Sequence, residues 1–314
     1  MVRCCLLKQI GTMTQPDTER QKSAGIADPL LQQELVLRAY TMLHALAEQG
    51  ALAAPAAGRP TDGAGLGGKL VVAAGLGSQG AALALGATLA GAAFLGIDAN
   101  PGSVKQALRA GCCDFMVNHL DEALRVLKNE VRKHKAVSVG LVGNAAEVLP
   151  AMVERGVLPD VLADTTRLES YIAPREADAA AAWRVQASAL YALREAGAVL
   201  VDVDGRGAAP ELATVTVDGL VTAWIAARGW RMVSWVVAPP TPPAIRLLDA
   251  VGMAQLAQSD SLRRAWGELG PKYFRREATP RRVMWMSDEE MSLFAAAFAD
   301  GAKQIGLDAV AHLQ

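Results

Sequence analysis

Aromatic side chains are scarce in this chain: Phe, Trp and Tyr make up 5% of it. Few rings are left on which successive bases can stack, which argues against a single-stranded nucleic-acid platform. Charge of one sign is missing as well. Lys plus Arg number 31 against 32 for Asp plus Glu, a formal net charge of -1. Such a balance gives no electrostatic footprint for nucleic acid or an anionic membrane. Cysteine is confined to two adjacent pairs, Cys4-Cys5 and Cys112-Cys113, neither with the spacing of a zinc knuckle or a redox C-x-x-C. Histidine is rare and scattered (His44, His119, His134, His312), so no metal site is expected. This usage reads as free thiols in a reducing cytoplasm. Long apolar runs are absent but for Gly80 to Ile97, which has the length of a bilayer span. That run is weakly hydrophobic, is broken by Gly86, Gly91 and Gly96, and ends at Asp98. It reads as a buried helix followed by a buried strand. The CCLL run near Met1 is too short for a signal h-region.

What is present is enough apolar residue for a sizeable core. The 314 residues are 52% hydrophobic and 20% charged, which suits about two ordinary domains. Residues 1–28 are polar and aperiodic and read as a flexible arm. Asp28 and Pro29 open a helix in which Leu31, Leu35, Ala39, Met42 and Leu46 form one apolar face. An Ala/Gly/Pro-rich linker completes the segment to residue 64. Strands and helices then alternate. KLVVAA at 69–74 is a short apolar run ending in glycines, as a buried parallel strand requires. Further strands are expected at 93–97, 115–117, 136–142 and 161–163. Helices are expected at 79–91, from Pro101 with Asn100 as cap, at 120–134, and from Gly143-Asn144 to Arg155. This alternation predicts an α/β fold built on a doubly wound parallel sheet. Past residue 176 the pattern is looser: a helix at 177–196, a strand at 198–203, a helix near 218–227, an apolar run at 232–237, a strand at 282–286, and a helix at 288–304. Trp224 and Trp230, beside Met232 to Trp235, are either core or a partner surface.

Gly75-Leu76-Gly77-Ser78-Gln79-Gly80 is a G-x-G-x-x-G set between a strand and a helix. In that context Gly75 makes the tight turn, Gly77 admits a pyrophosphate to the backbone, and Gly80 lets helix and strand pack closely. The helix start adds unpaired N–H groups and partial positive charge. Asp98 ends the second strand, 23 residues after Gly75. A carboxylate there accepts ribose hydroxyls and repels a 2′-phosphate, which favours NAD over NADP. Gly143-Asn144-Ala145 and Asp164-Thr165-Thr166-Arg167 follow later strands and belong to the same carboxyl edge. A Rossmann-like NAD-binding domain over 65–206 is therefore expected, followed at 207–314 by a second α/β, mostly helical part. A glycine turn without a ligand, and plain helix capping by Asn144, are the alternative readings.

The stretch GLGSQGAALALGATLAGAAFLGID resembles the cofactor loop of the urocanate hydratases (urocanases), which usually reads GLGGMGGAQP before an Ala/Gly-rich helix. SVGLVGNAAEVLPAMVERGVLPDVLADTT is closer to that family's S-x-GL-x-GNAAE-x-LP…RG-x-PD-x-x-TDQTSAHD segment. LDEAL at 120–124, VQASALYALREAGAVLVDVDGR and PRRVMW extend the resemblance over roughly 65–305. It implies a lyase of histidine catabolism, a hydratase with tightly bound NAD⁺ used as an electrophile toward urocanate or a related heteroaromatic substrate. It also implies cofactor contacts at Gly75, Gly77, Ser78, Gln79, Gly80, Asp98, Asn144, Ala145, Asp164, Thr165 and Thr166.

The match has departures. Ser78 and Gln79 replace a small residue and Met, and Ser103 replaces an Arg. Thr165, Arg167 and Glu169 replace Gln, Ser and His. The family's Y-x-GG-x-GKAARNW segment with its tyrosine has no counterpart in these residues, nor does the segment with a reactive cysteine and HHGGGVG-x-G-x-SQHAG. Candidate catalytic replacements are Arg167, Glu169, Tyr171 and Arg206, with a homo-oligomer neighbour or partner subunit as another source. Two other functions stay open: a catalytically inactive NAD-binding regulatory or assembly protein, and an ordinary NAD-dependent oxidoreductase.

Overall fold

The computed structural model describes residues 29–52, 65–166, 176–203, 215–257, 259, 261–274 and 280–313. The arm at 1–28 and most of the linker lie outside them. Helix α1 (Pro29–Glu48) precedes an alternation of β1 (Leu70–Ala74), α2 (Ser78–Leu89), β2 (Ala93–Asp98), α3 (Pro101–Arg109), β3 (Phe115–Val117), α4 (Leu120–Arg132), β4 (Val137–Val142), α5 (Ala145–Glu154), β5 (Val161–Asp164), α6 (Glu176–Glu195) and β6 (Val199–Asp202). Then come β7 (Val215–Thr216), α7 (Val217–Ala226), β8 (Arg231–Ala238), α8 (Pro242–Leu256), α9 (Ser261–Phe274), β9 (Arg281–Met286), α10 (Asp288–Gln304) and β10 (Val310–Leu313).

The first sheet is the doubly wound one. Its order is β3-β4-β2-β1-β5-β6-β7, with every neighbouring pair parallel. From β1 the chain first builds toward β2 and later returns to add β5 on the other side, so the order reverses between β1 and β5. Both faces of the sheet are covered, which is why its strands read as continuous apolar runs. Val71, Ala73, Phe94, Val161 and Val201 face α1, α2, α3 and α7. Leu70, Val72, Leu95, Ile97, Leu162 and Leu200 face α4, α5 and α6. Gly80 to Ile97 is a buried helix and a buried strand, and no helix among the described residues is long and apolar enough to cross a membrane.

Two features differ from the sequence reading. Helix α1 buries more than one face: Val36, Leu37, Tyr40, Thr41, Leu43 and Ala45 are closed off along with Ala39, Met42 and Leu46. The reason is its position between α2 on one side and α7 and β9 on the other. Its exposed-face residues therefore became core residues. The later apolar runs form a separate antiparallel sheet of order β10-β8-β9, in which Trp235 pairs with Arg282. Neither the two-residue β7 nor the exposed edge strand β10 has an apolar alternation to announce it.

Trp224 and Trp235 are core residues, and Trp230 packs against the same core. Tyr40 stacks on Trp285 with centroids 6.0 Å apart, and Trp224, Trp230 and Trp266 each lie within 6.4 Å of Trp285. The buried indole N–H groups have partners, as burial demands: Trp285 donates to Thr41 Oγ1 at 3.1 Å and Trp266 to the Val283 carbonyl at 2.9 Å. One apolar core thus runs from the parallel sheet through α1 to the second sheet.

Candidate functional site

The carboxyl ends of β4, β2, β1 and β5 are consecutive along the first sheet. Neighbouring strands lie about 4.8 Å apart, so the four loops that leave them converge at the point where strand order reverses. The residues expected from the sequence to contact a cofactor sit on those loops. Gly75 through Gly80 leave β1 and enter α2, Asp98 ends β2, Asn144 and Ala145 follow β4, and Asp164 to Thr166 end β5. Arg167, Glu169, Tyr171 and Arg206 lie outside the described residues.

The three glycines are not equivalent. Gly75 has φ +100° and faces Thr165, whose Oγ1 lies 2.6 Å from where a Cβ would stand. At Gly80 a Cβ would sit 2.0 Å from the Gly75 carbonyl oxygen. These two are demanded by close packing of turn, helix and neighbouring loop. Gly77 meets nothing within 4 Å. It caps α2 in extended conformation, and no side chain closes the helix's first turn. By contrast, Asn100 caps α3 and Asn144 caps α5, accepting from the Gly102 and Ala146 N–H groups. The α2 start therefore keeps the positive end of its dipole and its first N–H groups for another acceptor.

Asp98 is built into the loop. Its Oδ2 accepts the Leu76 N–H at 2.9 Å and its Oδ1 the Asn100 N–H at 2.8 Å, while the Gly75 N–H donates to the Ile97 carbonyl at 2.7 Å. Each carboxylate oxygen retains acceptor capacity beyond these bonds. Across the reversal point, the Thr165 N–H and hydroxyl both donate to the Ala74 carbonyl, and the hydroxyl also reaches the Gly75 carbonyl at 3.2 Å. Asp164 Oδ1 accepts from the Thr166 N–H at 2.9 Å, the Thr166 hydroxyl at 2.5 Å and Gln186 Nε2 at 3.1 Å.

Two contributors were not legible in the chain's motifs. Gln186 lies within an Ala-rich helix and is fully buried, and its spacing from Ala189, Leu190 and Leu193 is the only local signal. Arg38 of α1 lines a cleft of about 290 Å³, counted with its open mouth, together with Met42, Gln79, Leu83, Val203 and Val217. It is ion-paired with Asp218 of α7. Cys112 and Cys113, beside α3, are buried thiols outside any disulfide. Burial, reinforced by Cys112 and Asp114, pushes the Cys113 thiol up to about 12, which leaves it a protonated core group at neutral pH rather than a nucleophile. No cluster of three His, Cys, Asp or Glu able to hold a metal occurs among the described residues.

Comparison with known proteins agrees with this geometry. The family model described as the urocanase Rossmann-like domain matches residues 50–202, the segment carrying the glycine loop and all four converging strands. An S-methyl thiourocanate hydratase of Variovorax sp. (strain JCM 16519 / RA8) is 28% identical over 276 residues, covering 76% of this chain and 49% of that protein. The chain thus spans about half the length of the curated relative it matches. Residues 50–202 thus match the urocanase Rossmann-like domain, and over that segment the chain is similar to the urocanase family.

Proposed function

We propose that this chain binds NAD⁺ at the Gly75–Gly80 loop and takes part in hydration of urocanate or a related heteroaromatic substrate, as a hydro-lyase. The observation that carries the reading is the open, uncapped start of α2 at the reversal point of the sheet. A Cβ at Gly77 would fill the space a pyrophosphate needs, and the Ser78, Gln79 and Gly80 N–H groups stand at the positive end of the helix. Asp98 is placed to accept ribose hydroxyls with the lone pairs its loop bonds leave over. Asn144, Ala145 and the Asp164–Thr166 turn border the same crevice. The fit of these residues to a dinucleotide supports the cofactor, and the name of the Variovorax relative supports the reaction class.

When bound, oxidised nicotinamide supplies an electron-poor ring against which an electron-rich heteroaromatic is polarised. The chain's part is to hold both rings in one orientation and to keep competing water away, the usual protein contribution in cofactor enzymes. Proton transfer at the substrate is assigned in this proposal to groups on the segments after β5 and β6, where Arg167, Glu169, Tyr171 and Arg206 lie, or to a second subunit completing the site.

The test is mass spectrometry of the nucleotide released on denaturing the purified protein, with titration of added NAD⁺ if none appears, followed by urocanate absorbance. Bound NAD with falling absorbance supports the whole reading. NAD without turnover, alone or with added partner subunits, supports an NAD-binding regulatory or assembly protein. Formation of NADH with any substrate points to an oxidoreductase, and failure to bind NAD sinks the cofactor reading.

A further inference from the structure

Helix α6 covers the sheet face formed by Leu162 and Leu200 with Ala189, Leu190 and Leu193. Gln186 continues that stripe one turn toward the N-terminus of α6, the spacing that puts side chains on one helix face. Here the stripe reaches the carboxyl edge of the sheet and changes from apolar to polar. Gln186 is 0% exposed and Asp164 is 6% exposed. Burying an amide is unfavourable unless its hydrogen bonds are made. The Gln186 Nε2 group makes two, to Asp164 Oδ1 at 3.1 Å and to Thr166 Oγ1 at 2.9 Å.

The residue between those two partners, Thr165, is the one bonded to the Ala74 and Gly75 carbonyls. Gln186 and the glycine loop therefore grip the same three-residue turn: Gln186 bonds Asp164 and Thr166, and Thr165, joined to both through the backbone, bonds the loop. We infer that Gln186 is a positioning residue: it sets the β5 turn against the glycine loop and so fixes the width of the crevice that the cofactor occupies. This rests on the NAD reading above and deepens it. A leucine of similar size would suit an ordinary sheet-covering helix at this position, so packing alone does not call for an amide.

The test uses the full chain and two variants, Gln186→Leu and Gln186→Glu, with two readouts. The first is amide hydrogen exchange in the cofactor-free protein. The second is the NAD⁺ dissociation constant by calorimetry. Loss of the two hydrogen bonds is expected to speed exchange at the Thr165 and Thr166 amides about tenfold and to weaken NAD⁺ binding by about the same factor. Exchange at Gly143, whose N–H bonds the Asp98 carbonyl on the far side of β1, stays unchanged. Gln186→Glu keeps the shape and sets a carboxylate toward Asp164, so it reads the same way if Gln186→Leu does not fold. Faster exchange at both edges alike, or a lowered melting temperature with the β5 turn still protected, overturns the inference in favour of a packing role. If the wild type binds no NAD⁺, the proposed function fails, and the exchange readout still decides whether Gln186 holds the turn.

Discussion

The Asp98 carboxylate accepts the backbone N–H of Leu76 at 2.9 Å, tying the end of β2 to the middle of the glycine loop 22 residues earlier. An acid at this position is usually read as a ribose ligand. Here it is a structural clamp, and on the proposed NAD⁺ site its removal has two separable consequences. Asp98→Ala is expected to weaken NAD⁺ binding at least tenfold and to narrow the preference for NAD⁺ over NADP⁺, because the charge that repels a 2′-phosphate is gone. Asp98→Asn keeps one acceptor oxygen for the Leu76 N–H. It should melt within a few degrees of wild type while still losing cofactor preference. Calorimetry with both nucleotides, set beside thermal unfolding, separates the two roles.

The glycines make opposite predictions for one chemical change. Gly77→Ala adds a methyl group where nothing lies within 4 Å, so folding should be nearly unaffected while NAD⁺ affinity falls at least tenfold. Gly80→Ala drives a Cβ to within 2.0 Å of the Gly75 carbonyl oxygen. Such overpacking costs about 1–3 kcal/mol, and the melting temperature should drop before any ligand is added. Equal melting temperatures for the two variants would contradict the packing described for the loop.

Cys113 is expected to be inert in the native protein. With its thiol raised from 9.0 to about 12 by burial first, and then by Cys112 and Asp114, no thiolate is available at pH 8. Iodoacetamide should modify this peptide only after unfolding, as read by peptide mass spectrometry. The linkage has a definite sign. Below about pH 9 both states hold the proton and the contribution is intact. Between about pH 9 and 12 the unfolded chain loses the proton first, so stability falls. Wild type should therefore lose more stability across that window than Cys113→Ala.

Glu290 gives the acid-side counterpart. Burial raises its carboxyl, but hydrogen bonds from Arg263 and Ser287 outweigh that and hold it below the ordinary 4.5. Its stabilising contribution is present above that ordinary value and is lost as the pH falls through the lowered one. Arg263 is only 2% exposed and pairs with Glu290 at 2.5 Å. Glu290→Gln preserves the helix-start geometry with Ser287 but removes the carboxylate charge that Glu290 sets against Arg263. The expected loss is about 1–2 kcal/mol at neutral pH, discounted for the partial exposure of Glu290. Urea unfolding of wild type and variant should converge in acid.

The parallel sheet was legible because its signals are local. A strand buried on both faces is a short apolar run wherever it occurs, and KLVVAA and AFLGID announce β1 and β2 by themselves. The glycine loop was legible for the same reason: turn, close approach and helix start fall within six residues. The second buried face of helix α1 was not, since amphipathic spacing shows that a helix has an apolar face but not that a second body will cover its other side. Tyr40 and Thr41 took their roles from Trp285, 244 residues beyond Thr41. The pairing of β8 with β9 into a second sheet was missed because 42 residues separate the two strands, and neither run carries the turn that would mark a hairpin.

By itself, then, the order of residues determined the α/β alternation, the glycine loop after β1, the acid at the end of β2 and the likeness to the urocanase family. Each depends on neighbours within one turn, one strand or one motif. Only the tertiary structure decided which loops share the carboxyl edge, that Asp98 clamps the glycine loop, and that Gln186 is bonded to Asp164 and Thr166. Those are relations between segments brought together by strand order and by packing of buried faces. Contacts of that kind arise when the chain closes around its core, and no local pattern carries them.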